Sequence, residues 1–162
     1  MILDKTIDTF TSNYIVGVIS KYEFDCVNHQ NLIQDKEDIV LISIHDKIDR
    51  IYPEEKLKGF FDYKQICFWD TESYYDGTNY PPITFEQGKE LKDFILKNKD
   101  KKFLIHCTAG ISRSAGVAYA IECLLEYDGI KRFHYTGGTG IINHKTDRYS
   151  PNLTVYDRII GE

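Results

Sequence analysis

The chain has 162 residues, 42% of them hydrophobic and 28% charged, and carries a formal net charge of -5. That length fits one domain with a proper core, and the composition is that of a globular chain rather than a disordered one. The negative balance excludes the broad basic field on which general nucleic-acid binding relies, so any bound phosphate has to be held by local, well-aimed donors.

The opening MILDKTIDTF has an early Asp and no apolar run, unlike a secretory signal. The longest strongly apolar stretch, around Ile39 to Ile44, is too short to cross a bilayer. Cys26, Cys67, Cys107 and Cys123 are scattered without a CxxC pair or a His at zinc-ligand spacing. Neither a disulfide framework nor a metal site is expected. These features predict a reduced, cytoplasmic protein with no membrane segment and a single domain over residues 1–162; no pattern encodes an oligomeric state, and a monomer is the default.

Short β-branched apolar runs alternate with helical patterns, which predicts an α/β fold with a central mixed sheet of about five strands flanked by helices. The predicted strands are Tyr14–Ser20, Glu23–Val27, Ile39–Ile44, Gln65–Trp69 and Phe103–His106. The charged segment IDRIYPEEKLKGFFDYK, with Pro53, reads as a loop and a short helix. Thr84, with Gln87 three residues on, forms a capping-box pattern opening a helix whose face carries Leu91, Phe94 and Ile95. FLIH is the next strand. A helix with Val117, Ile121, Leu124 and Leu125 at helical spacing follows Ser114, and Gly129 is its expected stop. The Gly-rich stretch His134 to Lys145 follows a helix instead of a strand, so it reads as a surface loop and not a dinucleotide site. Pro151-Asn152 opens a last helix that buries Val155, Tyr156, Ile159 and Ile160.

The chemistry concentrates in the loop after FLIH: His106-Cys107-Thr108-Ala109-Gly110-Ile111-Ser112-Arg113-Ser114. A cysteine ends a buried strand, and small residues then let the backbone curl so that its N–H groups converge as an anion nest. The following helix aims its N-terminal dipole at the same point. Arg113 can fold back and hold two phosphate oxygens in a bidentate fork. All these features favour negative charge at the loop centre, which predicts a Cys107 thiol with a depressed pKa, a nucleophile aimed at phosphorus.

HCTAGISRS resembles the Cys-x5-Arg signature of the protein tyrosine phosphatase superfamily, and within it the loops of the compact dual-specificity phosphatases. The resemblance implies a phosphatase-type phosphate-binding loop between the last strand and the following helix. It implies a cofactor-free phosphomonoester hydrolase working through a phosphocysteine, with a phosphorylated protein or peptide as substrate. Cys107 would be the nucleophile and Arg113 the phosphate clamp. Ser114 would stabilise the leaving thiolate, and His106 would shape the loop. The backbone from Thr108 through Ala109, Gly110, Ile111 and Ser112 to Arg113 would cradle the phosphate.

The family also places a general-acid Asp at the end of an upstream strand. FWD puts Asp70 there, without the Pro of the larger enzymes' triplet, and one helix and one strand separate it from Cys107. Asp76 is the reserve candidate and Asp62 a third. Tyr74, Tyr75 and Tyr80 are candidates for a wall against an aromatic substrate, and Cys67 and Cys123 for a reversible disulfide with an oxidised Cys107. The Pro151-Asn152 helix start is shared with the dual-specificity branch. A phosphoinositide or RNA 5′-phosphate substrate, and a non-catalytic phosphate-binding module, are the alternative readings.

Overall fold

The computed structural model describes residues 16–29, 33, 36–46, 50–71, 81–108, 112–127, 135–137, 140–141 and 151–161. In chain order the elements are β1 (Val16–Ser20), α1 (Lys21–His29), β2 (Ile39–His45), β3 (Asp62–Cys67), α2 (Phe85–Lys97), β4 (Lys102–Cys107), α3 (Arg113–Tyr127), β5 (Tyr135–Gly137), β6 (Gly140–Ile141) and α4 (Leu153–Ile160). Single 3₁₀ turns at Lys36–Asp38 and Glu54–Leu57 complete them.

The strands form one sheet in the order β3-β2-β4-β1-β5-β6. All neighbours are parallel except β5 and β6, so the sheet is mixed and helix-flanked, as expected. Two details differ from expectation. Six strands are described rather than about five, and β4 is not the last strand, because the short β5 and β6 follow it in the chain. The third strand also lies earlier than Gln65–Trp69. It runs over Asp62–Cys67, after which Phe68 N–H still reaches His45 O (3.0 Å) while Trp69 N–H turns to Pro81 O (3.0 Å).

The segment predicted as strand Glu23–Val27 is helical instead, inside α1. Ser20 and Glu23 explain this. Ser20 Oγ accepts from Glu23 N–H, and Glu23 Oε1 accepts from Ser20 N–H, each at 3.1 Å. That reciprocal pair is a capping box, which satisfies two orphan donors of a helix start. The predicted box of Thr84 and Gln87 is present at the start of α2.

The central strands are buried on both faces, the pattern of parallel sheets covered by helices. One face of β1, β2 and β4 packs Val18, Val40, Ile42, Phe103 and Ile105 against Leu91 and Ile95 of α2, Val117 and Ile121 of α3, and Val155 and Ile159 of α4. The other face packs Ile19, Ile39, Leu41 and Leu104 against Phe24 of α1 and the loop residues Tyr52, Leu57 and Phe60. Because strand side chains alternate in direction, Cys107 shares the first face with Phe103 and Ile105, while His106 shares the second with Leu104. Among the described residues no helix is long and apolar enough to cross a membrane.

Candidate active site

Cys107 is the last residue of β4, which β2 and β1 flank as parallel partners. Its side chain is 1% exposed, and its Sγ lies 3.1 Å from Ser114 Oγ in the first turn of α3. A pocket of about 490 Å³ opens above it, lined by Asp46, Trp69, Asp70, Thr71, Cys107, Thr108, Ser112 and Arg113. Residues from the C-terminal ends of β2, β3 and β4 thus converge with the start of α3, the edge where open α/β sheets place their ligands.

Arg113 is 4% exposed and fixed on several sides. Its Nη1 donates to Asp46 Oδ1 at 2.6 Å and to Phe68 O at 2.8 Å, and its Nη2 donates to Thr108 Oγ1 at 3.0 Å. Asp46, just beyond β2, was not among the residues the sequence singled out. An isolated Asp after an apolar run carries no local signal, and only the parallel pairing of β2 with β4 brings it to this pocket.

Asp70 sits at the pocket rim. Its Oδ1 accepts from Ser112 Oγ at 2.7 Å and from Asn152 Nδ2 at 2.8 Å. Asn152 is fully buried, and it also caps α4 by accepting from Val155 N–H through Oδ1 at 3.2 Å. Ser112 O in turn accepts from Asn152 N–H at 3.0 Å and Gly116 N–H at 2.9 Å. The upstream carboxylate, the loop after β4 and the start of α4 are therefore one hydrogen-bonded unit. The sequence marked Pro151-Asn152 as a helix start, but not Asn152 as a neighbour of Asp70.

His106 lies behind the pocket at the end of a buried polar chain. Its Nε2 is 2.6 Å from Ser43 Oγ, which is 2.8 Å from His45 Nε2, itself 3.1 Å from Gln65 Oε1. Gln65 is oriented by Tyr52, whose N–H donates to Oε1 at 2.7 Å and whose O accepts from Nε2 at 2.8 Å. Since Gln65 Oε1 only accepts, His45 Nε2 carries the proton. The Ser43 hydroxyl then donates to His106 Nε2. That leaves the His106 proton on Nδ1, which makes no full hydrogen bond and meets the polar backbone of Cys107.

The His106 ring also stacks on Phe24, centroids 4.9 Å apart at 15°. Burial, reinforced by His45, pulls its pKa down to about 3. Burial, with Lys21 next, pulls that of His45 down to about 4. Both rings are neutral near neutral pH, so the chain works as an uncharged scaffold for the end of β4.

Cys107, Thr108, Ser112, Arg113, Ser114 and Asp70 thus come together, with His106 immediately behind. Ala109, Gly110 and Ile111, and with them most of the backbone cradle, lie outside the described residues, as do Asp76, Tyr74, Tyr75, Tyr80, Gly129 and most of His134 to Lys145. Asp62 is not at the site. It begins β3 at the opposite sheet edge and meets Lys97 Nζ at 3.3 Å. Cys123 Sγ lies 3.3 Å from Tyr156 Oη, between α3 and α4. Gln87 Nε2 donates to Cys67 O at 2.8 Å, and neither cysteine lines the pocket.

No family model and no curated protein matches the chain. Among solved structures, the crystal structure of human tyrosine phosphatase-like serine/threonine/tyrosine-interacting protein is similar over 88% of this chain and 83% of that one, with a TM-score of 0.48 and 18% identity. The crystal structure of Tk-PTP in the active form is similar over 73% of this chain and 74% of that one, with a TM-score of 0.39 and 22% identity.

Proposed function

We propose that this chain is a cysteine-dependent phosphomonoester hydrolase of the protein tyrosine phosphatase superfamily, acting on phosphorylated protein or peptide. The observation that carries the reading is the convergence of the Cys107 thiol, the Arg113 guanidinium and the Asp70 carboxylate on one pocket of about 490 Å³. A buried thiol at the end of a strand is by itself only a small hydrophobe. Its place beside a fixed guanidinium and a rim carboxylate is what favours phosphoryl transfer.

In the first step Cys107 Sγ, as thiolate, attacks phosphorus while the bond from phosphorus to the substrate oxygen breaks. Asp70, entering protonated, gives its proton to that oxygen, and a phosphocysteine is left. Arg113 holds two equatorial oxygens, where preorganised donors act most strongly on the transition state. In the second step a water attacks phosphorus and gives a proton to the Asp70 carboxylate. The S–P bond breaks, inorganic phosphate leaves, and the returning thiolate accepts a hydrogen bond from Ser114 Oγ–H, already 3.1 Å away. No cofactor enters this scheme.

The test is hydrolysis of para-nitrophenyl phosphate with EDTA present, by wild type, Cys107→Ser and Asp70→Asn. Expected are turnover by wild type, none by Cys107→Ser, and a loss of about 10²–10⁴-fold in Asp70→Asn, the usual worth of general acid–base help. An inactive wild type with a reduced thiol, or a Cys107→Ser variant that keeps its rate, overturns the reading.

A further inference from the structure

Gln65, Ser43 and His106 stand side by side on adjacent strands, since Ser43 is in register with Gln65 of β3 and with His106 of β4. His45, two residues past Ser43, lies on the same face of β2. These side chains form a polar row across a face otherwise packed with Ile39, Leu41 and Leu104. Ser43, His45 and His106 are all buried. Stability alone does not call for such a row, because apolar side chains of like shape would fill the space without the cost of burying polar groups. Gln65 and Ser43 do not line the pocket above Cys107, so any part they play in its chemistry is indirect.

Taken alone, the links from Ser43 to the two rings can run in either direction. Burial keeps both rings neutral near neutral pH, so each carries one ring proton and its place is a choice. Gln65 removes the choice. The Tyr52 backbone fixes the Gln65 amide, donating to Oε1 at 2.7 Å and accepting from Nε2 at 2.8 Å, so that Oε1 faces His45 Nε2 at 3.1 Å. In the reversed chain a bare His45 Nε2 would oppose that oxygen, acceptor against acceptor.

We infer that Gln65 and Ser43 are positioning residues for the nucleophile, which through His45 keep the His106 proton on Nδ1, against the backbone of Cys107. While burial and His45 act against any charge on His106, the Cys107 backbone favours a proton on its ring. The reversed chain would turn the Nδ1 lone pair on that backbone and displace the residue that carries Sγ. The kinetic part of this inference rests on the phosphatase reading, and the place of the proton does not.

The test begins with ¹⁵N NMR of the wild-type protein, in which the two ring nitrogens of a histidine report which one is protonated. The His106 pair is assigned by its loss in His106→Asn. Expected is a proton on Nδ1 alone. In Gln65→Met and in Ser43→Ala the pattern should become mixed, and kcat for para-nitrophenyl phosphate should fall about tenfold, because small misplacements of a reacting group are costly. Inhibition by inorganic phosphate should stay near the wild-type value, since the lost interaction is felt in the transition state and not in binding. The amide N–H of His106→Asn falls near the Nδ1 position without reaching Ser43, so adding either substitution to it should cost no further rate. A wild-type proton on Nε2 overturns the inference. So does a tautomer that neither variant disturbs, a kcat unmoved by a changed tautomer, or a loss as large in the His106→Asn background as alone. An inactive wild type removes the phosphatase reading, and the rate of Cys107 alkylation by iodoacetamide then takes the place of kcat.

Discussion

Asp70 and Asn152 share a hydrogen bond of 2.8 Å, although one follows β3 and the other opens the final helix. Asn152 thus does two jobs with one amide, capping α4 with its oxygen and steadying the rim carboxylate with its nitrogen. Serine separates them, because it caps a helix about as well as asparagine but is too short to reach Asp70. Asn152→Ala should lose about 1 kcal/mol or more of stability with the cap. Asn152→Ser should keep most of that stability, read by urea denaturation. If the link positions the acid, both variants lose turnover by about tenfold, since small misplacements are costly in rate. A fully active Asn152→Ser would show that Asp70 needs no such anchor.

The pair of Arg113 and Asp46 leads to a second expectation. Arg113→Lys keeps the charge but not the fork, and should lower kcat/KM for para-nitrophenyl phosphate by about a hundredfold. Asp46→Ala should instead cost about 1–3 kcal/mol of stability, below the full penalty of breaking a buried pair because Asp46 is 32% exposed. Its kinetic mark should be a raised KM, as Arg113 loses one of its fixing contacts. A variant with unchanged stability and KM would mean that Phe68 O and Thr108 Oγ1 hold the guanidinium alone.

The two buried histidines give a pH dependence with a definite sign. Their folded pKa values, about 3 for His106 and about 4 for His45, lie below the ordinary 6.5. The unfolded chain therefore binds more protons than the folded one between those limits. The stability they contribute is complete above about pH 6.5 and is lost as pH falls toward 4 and then 3, at about 1.4 kcal/mol per pH unit for each excess proton. Denaturant titrations from pH 7 to pH 4 should show this decline. His45→Gln should roughly halve their joint slope between about pH 6.5 and 4, leaving that of His106, and an unaltered slope in that variant would remove His45 from the account.

Gly116 on α3 packs so closely on α4 that a Cβ placed there would lie 2.6 Å from Asn152 O and 3.1 Å from Val155 Cβ. Gly116→Ala must push α4 away, at about 1–3 kcal/mol for an overpacked contact. Because Asn152 moves with the helix, turnover should fall along with the melting temperature. Gly59→Ala is the comparison. It sits at φ 100° away from the pocket, and its strain should lower stability while leaving kcat alone.

The strand-to-helix unit around Cys107 was legible because every level of its sequence agrees. FLIH is a short apolar run, TAGIS is built of mostly small residues with one glycine, and the following apolar residues recur at helical spacing. Thr84 and Gln87 were legible for the same local reason. Glu23–Val27 was misread because its apolar residues alternate as a strand's do. The deciding signal, the Ser20-x-x-Glu23 box, stood just upstream. Asp46 and Asn152 were not legible as site residues because nothing local distinguishes them. Their roles come from the parallel register of β2 with β4 and from the return of the last helix, both non-local pairings.

The strand that carries the thiol has a hydrogen-bonded neighbour on each side, whereas β3 and β6 close the two ends of the sheet. Local opening of a sheet begins where one partner is missing, and its free energy is smaller than that of global unfolding. Fraying at either end therefore leaves the position of Cys107 unchanged. Residues 103–106 are in register with a strand on each side, and Cys107 with Ser20 of β1, so the backbone that ends at Cys107 opens later than either edge of the sheet.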